Sequence, residues 1–207
     1  MVKQLLAIGL IIIGVSAVSA ERNDPGTTSK AFCDLTIAQV QVDGLRLGMT
    51  PEQVMALFPG SSEDAEVRSS LSRPASKFGV SSFIIRPDKY KSKAKFAGIN
   101  QIAFTLLDGR VSTFSVGYNG PEWPHVDKFV AKFVEGTNLP AADAWEANVG
   151  MDSQLKTLKC RDFEIRIFAG GQGGNLNNVS LVDLVAGQKL KERRAKAKEK
   201  ALQESKP

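Results

Sequence analysis

A single histidine, His125, sets the first limit on the chemistry open to this 207-residue chain. Any Ser-His-Asp or Cys-His apparatus has to be built around it, and no Gly-x-Ser-x-Gly turn is present to hold a nucleophile. His125 directly precedes an amphipathic segment and reads as a surface residue in a first helical turn. Cys33 and Cys160 lack Cys-x-x-Cys spacing, and with one histidine they cannot complete the usual His/Cys ligand sets of zinc. Glu63-Asp64-Ala65-Glu66 is too short for a calcium loop of the EF-hand kind. No metal and no cofactor are expected. Asp162 with Glu164, and Glu122 with Asp127, are acid pairs of the type that glycoside hydrolases use, but only the fold sets their separation. Ser153-Gln154-Leu155-Lys156 matches Ser-x-x-Lys, yet no Lys-Thr-Gly follows and the segment leads into a strand. Gly170 to Asn175 lacks the Lys-Ser/Thr ending of a phosphate loop and reads as a flexible hairpin connection. Trp123, Trp145 and Tyr118 can line a ligand groove. Beside Pro and Gly at strand ends, they read first as residues that close a core.

The compartment narrows the choice further. Lys3 gives a short positive start, Leu5 to Val18 form an apolar run, and Val18-Ser19-Ala20 ends it with small residues, the pattern of a secretory signal over 1–20. The run is shorter than the roughly 20 apolar residues that a membrane span requires and is broken by Gly9, Gly14 and Ser16. The first cysteine lies too far downstream for lipid attachment at the cleavage point. Export to the periplasm or the medium is the expectation. In an oxidising compartment the two cysteines pair, so a Cys33–Cys160 disulfide is expected.

Charge is uneven. Residues 21–187 carry 18 basic and 19 acidic side chains, a net of −1, while 188–207 carry 8 and 3, a net of +5. A second basic run, Arg86, Lys89, Lys91, Lys93 and Lys95, reads as a solvated loop. Export argues against nucleic acid as the partner of the tail. The tail also lacks a bulky apolar face, which limits it to peripheral membrane contact at most.

The elements that must position these residues emerge from pattern. After a polar leader over 21–31, Thr50-Pro51-Glu52-Gln53 is a capping box with proline at the first helical position. Met49 and Val54 can close a hydrophobic staple over it, and Pro59-Gly60 stops the helix. β-Branched and aromatic content predicts strands at 80–86, 99–107 and 111–118. Asp108-Gly109 marks a hairpin turn between the last two. A strict two-residue turn would set Phe104 against Thr113, whereas a one-residue bulge would align the apolar residues, and pattern alone does not choose. Val126, Phe129, Val130, Phe133 and Val134 make the clearest helix, ended by Gly136. Strands recur at 155–160, 163–168 and 178–185, and the basic tail 188–207 is rich in helix formers but has no apolar stripe, so it should project into solvent. The expected fold is α+β, an antiparallel sheet packed by helices over 32–187. It divides into two possible tandem αβββ units, 32–120 and 121–187.

Leu45 to Val54, with Leu57 and Pro59-Gly60 after it, resembles the opening motif of small envelope proteins of the SmpA/OmlA type, whose fold is shared in tandem by the β-lactamase-inhibitor protein. The resemblance implies a helix-plus-antiparallel-sheet module working outside the cytoplasm through protein contacts. The functional expectation is a non-catalytic binding or scaffolding module of the cell envelope whose partner is another extracytoplasmic protein. A secreted hydrolase with a carboxylate site, and an envelope-surface protein held by its basic tail, are the alternatives.

Overall fold

The computed structural model describes residues 33–147 and 154–204. The expected signal over 1–20, the leader over 21–31 and Ser153 lie outside them. Helix α1 (Pro51–Ala56) starts where the capping box places it: the Gln53 amide donates to Thr50 Oγ1 at 3.4 Å and the Thr50 amide to Gln53 Oε1 at 2.9 Å. Met49 and Val54 are both buried. A second helix, α2 (Ala65–Ser72), occupies the Ser-rich stretch in which pattern shows no helix. Asp64 caps it by accepting the amides of Glu66 and Val67 at 2.8 and 3.3 Å.

Strands β1 (Val80–Ile85), β2 (Ile99–Leu107) and β3 (Arg110–Tyr118) form a meander, followed by α3 (Val126–Val134) and a short β4 (Glu146–Ala147). Then come β5 (Leu155–Lys159), β6 (Phe163–Phe168), β7 (Asn178–Asp183) and α4 (Leu184–Glu204). Among the described residues, these strands join one antiparallel sheet in the order β1-β2-β3-β7-β6-β5-β4.

The hairpin uses both of the geometries that pattern could not separate. Asp108 and Gly109 form a two-residue turn with φ of 52° and 76°, positive at both positions as a type I′ turn requires, and Leu107 pairs with Arg110. One bulge at Ser112 then restores the apolar register, setting Phe104 against Phe114 and Ile102 against Val116. Val111 lies beyond the β7 pairing with its backbone groups directed away from β2, and there its amide donates to the Met49 carbonyl at 2.9 Å and its carbonyl accepts the Gly48 amide at 2.8 Å. The helix-start motif is thereby stitched to the sheet.

Register carries the core. Phe83, Phe104, Phe114, Leu181, Ile165 and Leu158 form one row across six strands, all buried. The helices cover this face, α2 beside β1 and α3 across β5 and β6. Period-two alternation puts Ser82, Ile84, Gln101 and Arg166 on the other face, where they are exposed. Cys33 and Cys160 are joined by a disulfide that ties the start of the described chain to the end of β5.

Helix α4 begins earlier than composition placed it, because the Asp183 carboxylate accepts the Ala186 amide at 2.8 Å and ends β7 there. It is not a free projection over its first half. Arg193 grips Asp108 at the hairpin turn through two bonds of 2.8 Å, and Lys189 adds a third at 2.8 Å. Arg193 also donates to the Phe78 carbonyl at 2.8 Å.

Candidate functional site

Residues around the end of β3 and from α3 enclose a cleft of about 590 Å³, within the size range of small-ligand sites. Its floor is Tyr118, Pro121 and Trp123, and one wall is Phe129 and Phe133 from α3. Residues Gln39 to Asp43 complete the lining. Trp123 stacks on Phe129 with ring centres 5.5 Å apart and planes 6° apart, while Tyr118 meets Phe129 edge-on at 5.7 Å. The i, i+4 spacing that makes α3 legible as a helix is the spacing that puts Phe129 and Phe133 side by side.

Each wall is held by local chemistry. Asp43-Gly44 is a second Asp-Gly turn, with φ of 52° and 90°, closed by reciprocal bonds between Val42 and Leu45 at 3.0 and 2.8 Å. The turn sets Asp43 at the cleft rim. On the far side, buried Asn177 donates to the Pro121 carbonyl at 2.7 Å and accepts the Gly170 amide at 3.1 Å, pinning the Gly-rich β6–β7 loop against the floor. That loop carries no phosphate-loop geometry; its glycines serve packing, since a Cβ at Gly174 would stand 2.4 Å from the Pro121 carbonyl oxygen.

Three polar groups stand out in this apolar setting. The indole N–H of Trp123 is buried and has no acceptor among the described residues. That is a costly state for a polar group. The Trp145 indole, by contrast, donates to the Pro140 carbonyl at 3.1 Å. The Tyr118 phenol is driven up from its ordinary pKa by burial and, secondarily, by the Asp43 charge, so it stays protonated. Asp43 is exposed at the rim, yet the cleft walls desolvate its carboxyl enough to raise its pKa, with Lys95 pulling the other way. Lys132, the other charged residue of the lining, is held by Glu135 at 2.5 Å.

The residues singled out from sequence for chemistry are employed elsewhere. Asp162 accepts the Ile37 amide at 3.1 Å, anchoring the N-terminal segment, and Glu164 pairs with Arg166 on the sheet. Asp127 pairs with Lys156 at 2.9 Å, which ties α3 to β5 and commits the lysine of the Ser-x-x-Lys match. Glu122 is exposed, as is His125, which stands just before α3 with no side-chain cap bond. Of the three aromatics, Tyr118 and Trp123 line the cleft and Trp145 is core, edge-on to Phe133 at 6.5 Å. Asp43 is not among the residues that pattern marks, although its Asp-Gly turn carries the same signal that distinguishes Asp108. The basic run does not sit wholly in solvent: Arg86 and Lys89 hold Glu66 at 2.5 and 3.3 Å. Among the described residues no cluster of three or more His, Cys, Asp or Glu side chains is placed to hold a metal, and no helix is long and apolar enough to cross a membrane.

No family model and no curated protein matches the chain. Among solved structures, the chain is similar to an extracellular protein containing an SCP domain from Bacillus anthracis, at 12% identity and a TM-score of 0.36 over 79% of this chain and 49% of that one. The chain thus spans about half the length of that protein, and a likeness so distant carries no argument about function. These findings correct the SmpA/OmlA and β-lactamase-inhibitor-protein resemblance drawn from Leu45 to Gly60: the fold comparison returns a different extracellular protein. The physical reason is that a capping box, a staple and a Pro-Gly stop specify a helix start wherever a chain needs one. They say little about the sheet beyond it.

Proposed function

We propose that this chain is a non-catalytic extracytoplasmic binding module, acting in the periplasm or the medium, whose aromatic cleft receives part of another exported protein. The observation that carries this reading is the cleft itself, an apolar recess lined by the aromatic side chains of Tyr118, Trp123, Phe129 and Phe133. Such a recess is the default binding site of a protein. The disulfide is consistent with export. The candidate acids Asp127, Asp162 and Glu164 each hold a structural partner, which favours binding over hydrolysis.

The architecture underlying the module is read as two αβββ units. Strand order runs outward in mirror fashion from the β3–β7 pair, with Ser115 opposite Ser180 at its centre; a helix and the strands β1 to β3 in the first half correspond to α3 and β5 to β7 in the second, to which α2 and the short β4 are additions. Overlaying 51–118 on 126–183 tests this: one helix and three strands matching in order support it, and helices falling on opposite faces reject it.

The binding reading is tested by placing a photo-cross-linking amino acid at Gln41 or Asn138, on the two lips of the cleft, in cells that export the protein. A discrete adduct from both positions, absent from a control site such as Gln101 on the opposite sheet face, is expected. Equal labelling at all three positions overturns the reading.

A further inference from the structure

The chemistry of the cleft narrows what enters it, an inference that rests on the cleft being the binding site. Four aromatic rings supply an apolar bed. Two charged residues line it: Lys132 is bound to Glu135, whereas Asp43 makes no hydrogen bond or direct ion pair among the described residues. Its nearest cation, Lys95, acts through space and lies over the Phe96 ring at 5.3 Å. An occupant complementary to this arrangement has an apolar stem and a positive head. A carboxylate-bearing occupant would meet Asp43 as a like charge, and a purely apolar one would leave it unanswered.

We propose that the cleft captures a lysine side chain of the partner polypeptide, its methylene stem lying on Trp123 and Phe133 and its ammonium at Asp43. Aromatic faces attract ammonium groups as well as methylenes, so the rings contribute along the whole side chain. The Asp-Gly turn gives Asp43 a fixed position, so the carboxylate is preorganised for the ammonium before the partner arrives.

The test uses the exported chain, residues 21–207, and the blocked peptide acetyl-Ala-Lys-Ala-amide, with norleucine or glutamate replacing lysine in the controls. The readout is the indole N–H resonance of Trp123, with that of Trp145 as internal reference. The lysine peptide is expected to shift the Trp123 resonance saturably. The norleucine peptide should bind about tenfold more weakly for want of the charged contact, and the glutamate peptide not at all. Asp43→Asn should bring the lysine peptide down to the norleucine level without unfolding the chain, because asparagine also tolerates positive φ. Trp123→Phe, read by peptide chemical shifts, should weaken both peptides alike.

Equal binding of lysine and norleucine peptides, or an Asp43→Asn variant with unchanged affinity, overturns the lysine assignment. If no peptide moves Trp123 while cross-linkers at Gln41 and Asn138 still capture a discrete partner, the lysine assignment fails and the binding reading stands. Loss of both sinks the two together. Concentration-dependent self-association of the chain alone, abolished by Asp43→Asn, would make the occupant a second copy and overturn the assignment to a separate partner.

Discussion

Buried polar side chains decide more at the residue level than the conspicuous acids do. Asn177 is almost fully buried and serves Pro121 and Gly170 at once. Asn177→Ala should cost about 2 kcal/mol, since it removes two hydrogen bonds and strands their partners, and it should loosen the cleft floor. Urea unfolding measures the first effect, and line broadening of the Trp123 indole resonance the second. Tyr90 is a second such residue. Burial first, and its bond to Asp64 at 3.1 Å second, push its phenol up to about 12. The raised value means that the folded state favours the neutral phenol. Its contribution to stability is therefore complete below the unfolded value of about 10 and is lost as pH rises toward 12. Tyr90→Phe should flatten the alkaline fall in stability between those limits, as followed by circular dichroism.

Elements in this chain are delimited by short side chains at their ends. Thr50→Ala removes the oxygen that accepts the Gln53 amide and should cost about 1 kcal/mol, visible as a lower urea midpoint with unchanged slope. The clasp on α4 is of another kind. Arg193 and Lys189 hold Asp108 well below the usual carboxylate range. The depressed value means that the clasp is intact above the unfolded carboxylate pKa and is lost only as pH falls through the folded one. Asp108→Asn keeps an asparagine suited to the turn but removes the charge. It should leave the sheet intact while amide exchange accelerates over 189–200. High salt should act in the same direction, because the clasp lies at the surface. The basic run beyond the clasp, from Lys196 to Lys200, includes exposed positions. Deleting 188–207 without altering membrane fractionation would exclude the tail as an envelope anchor.

Across the whole molecule, the disulfide and the central strand pair unite the two halves. Cys33 and Cys160 are 127 residues apart. In the chain-entropy model, a loop of that length is worth about 5 kcal/mol. Replacing both cysteines by alanine should lower the unfolding free energy by up to that amount, and equilibrium denaturation with and without reductant checks it. Among the described residues the two meanders pair only through β3 and β7, so the sheet is continuous because the last strand of one meander meets the last strand of the other. The cleft lies where the first meander ends and α3 begins, and it draws its lining from chain segments about a hundred residues apart at their extremes, Gln39 and Leu139.

Local and periodic information is legible in the sequence. The capping box at Thr50, the five-residue apolar stripe of α3, the Asp108-Gly109 turn and the strand positions depend on neighbours within a few residues, which is the range over which propensity and periodicity act. The α+β class rests on them. Helix α2 is hidden because its apolar residues are few, chiefly Val67 and Leu71, too few for a stripe, and its stability comes from Asp64 and from packing beside β1. Register is undecided in the sequence because a bulge and a tight turn are each locally acceptable, and only burial of both Phe104 and Phe114 on one face selects the combination. The cleft is beyond reach for the same reason. Tyr118 and Trp123 stand out as aromatics near strand ends, but the approach of Asp43 and the lack of an acceptor for the Trp123 N–H are properties of distances between segments far apart in the chain.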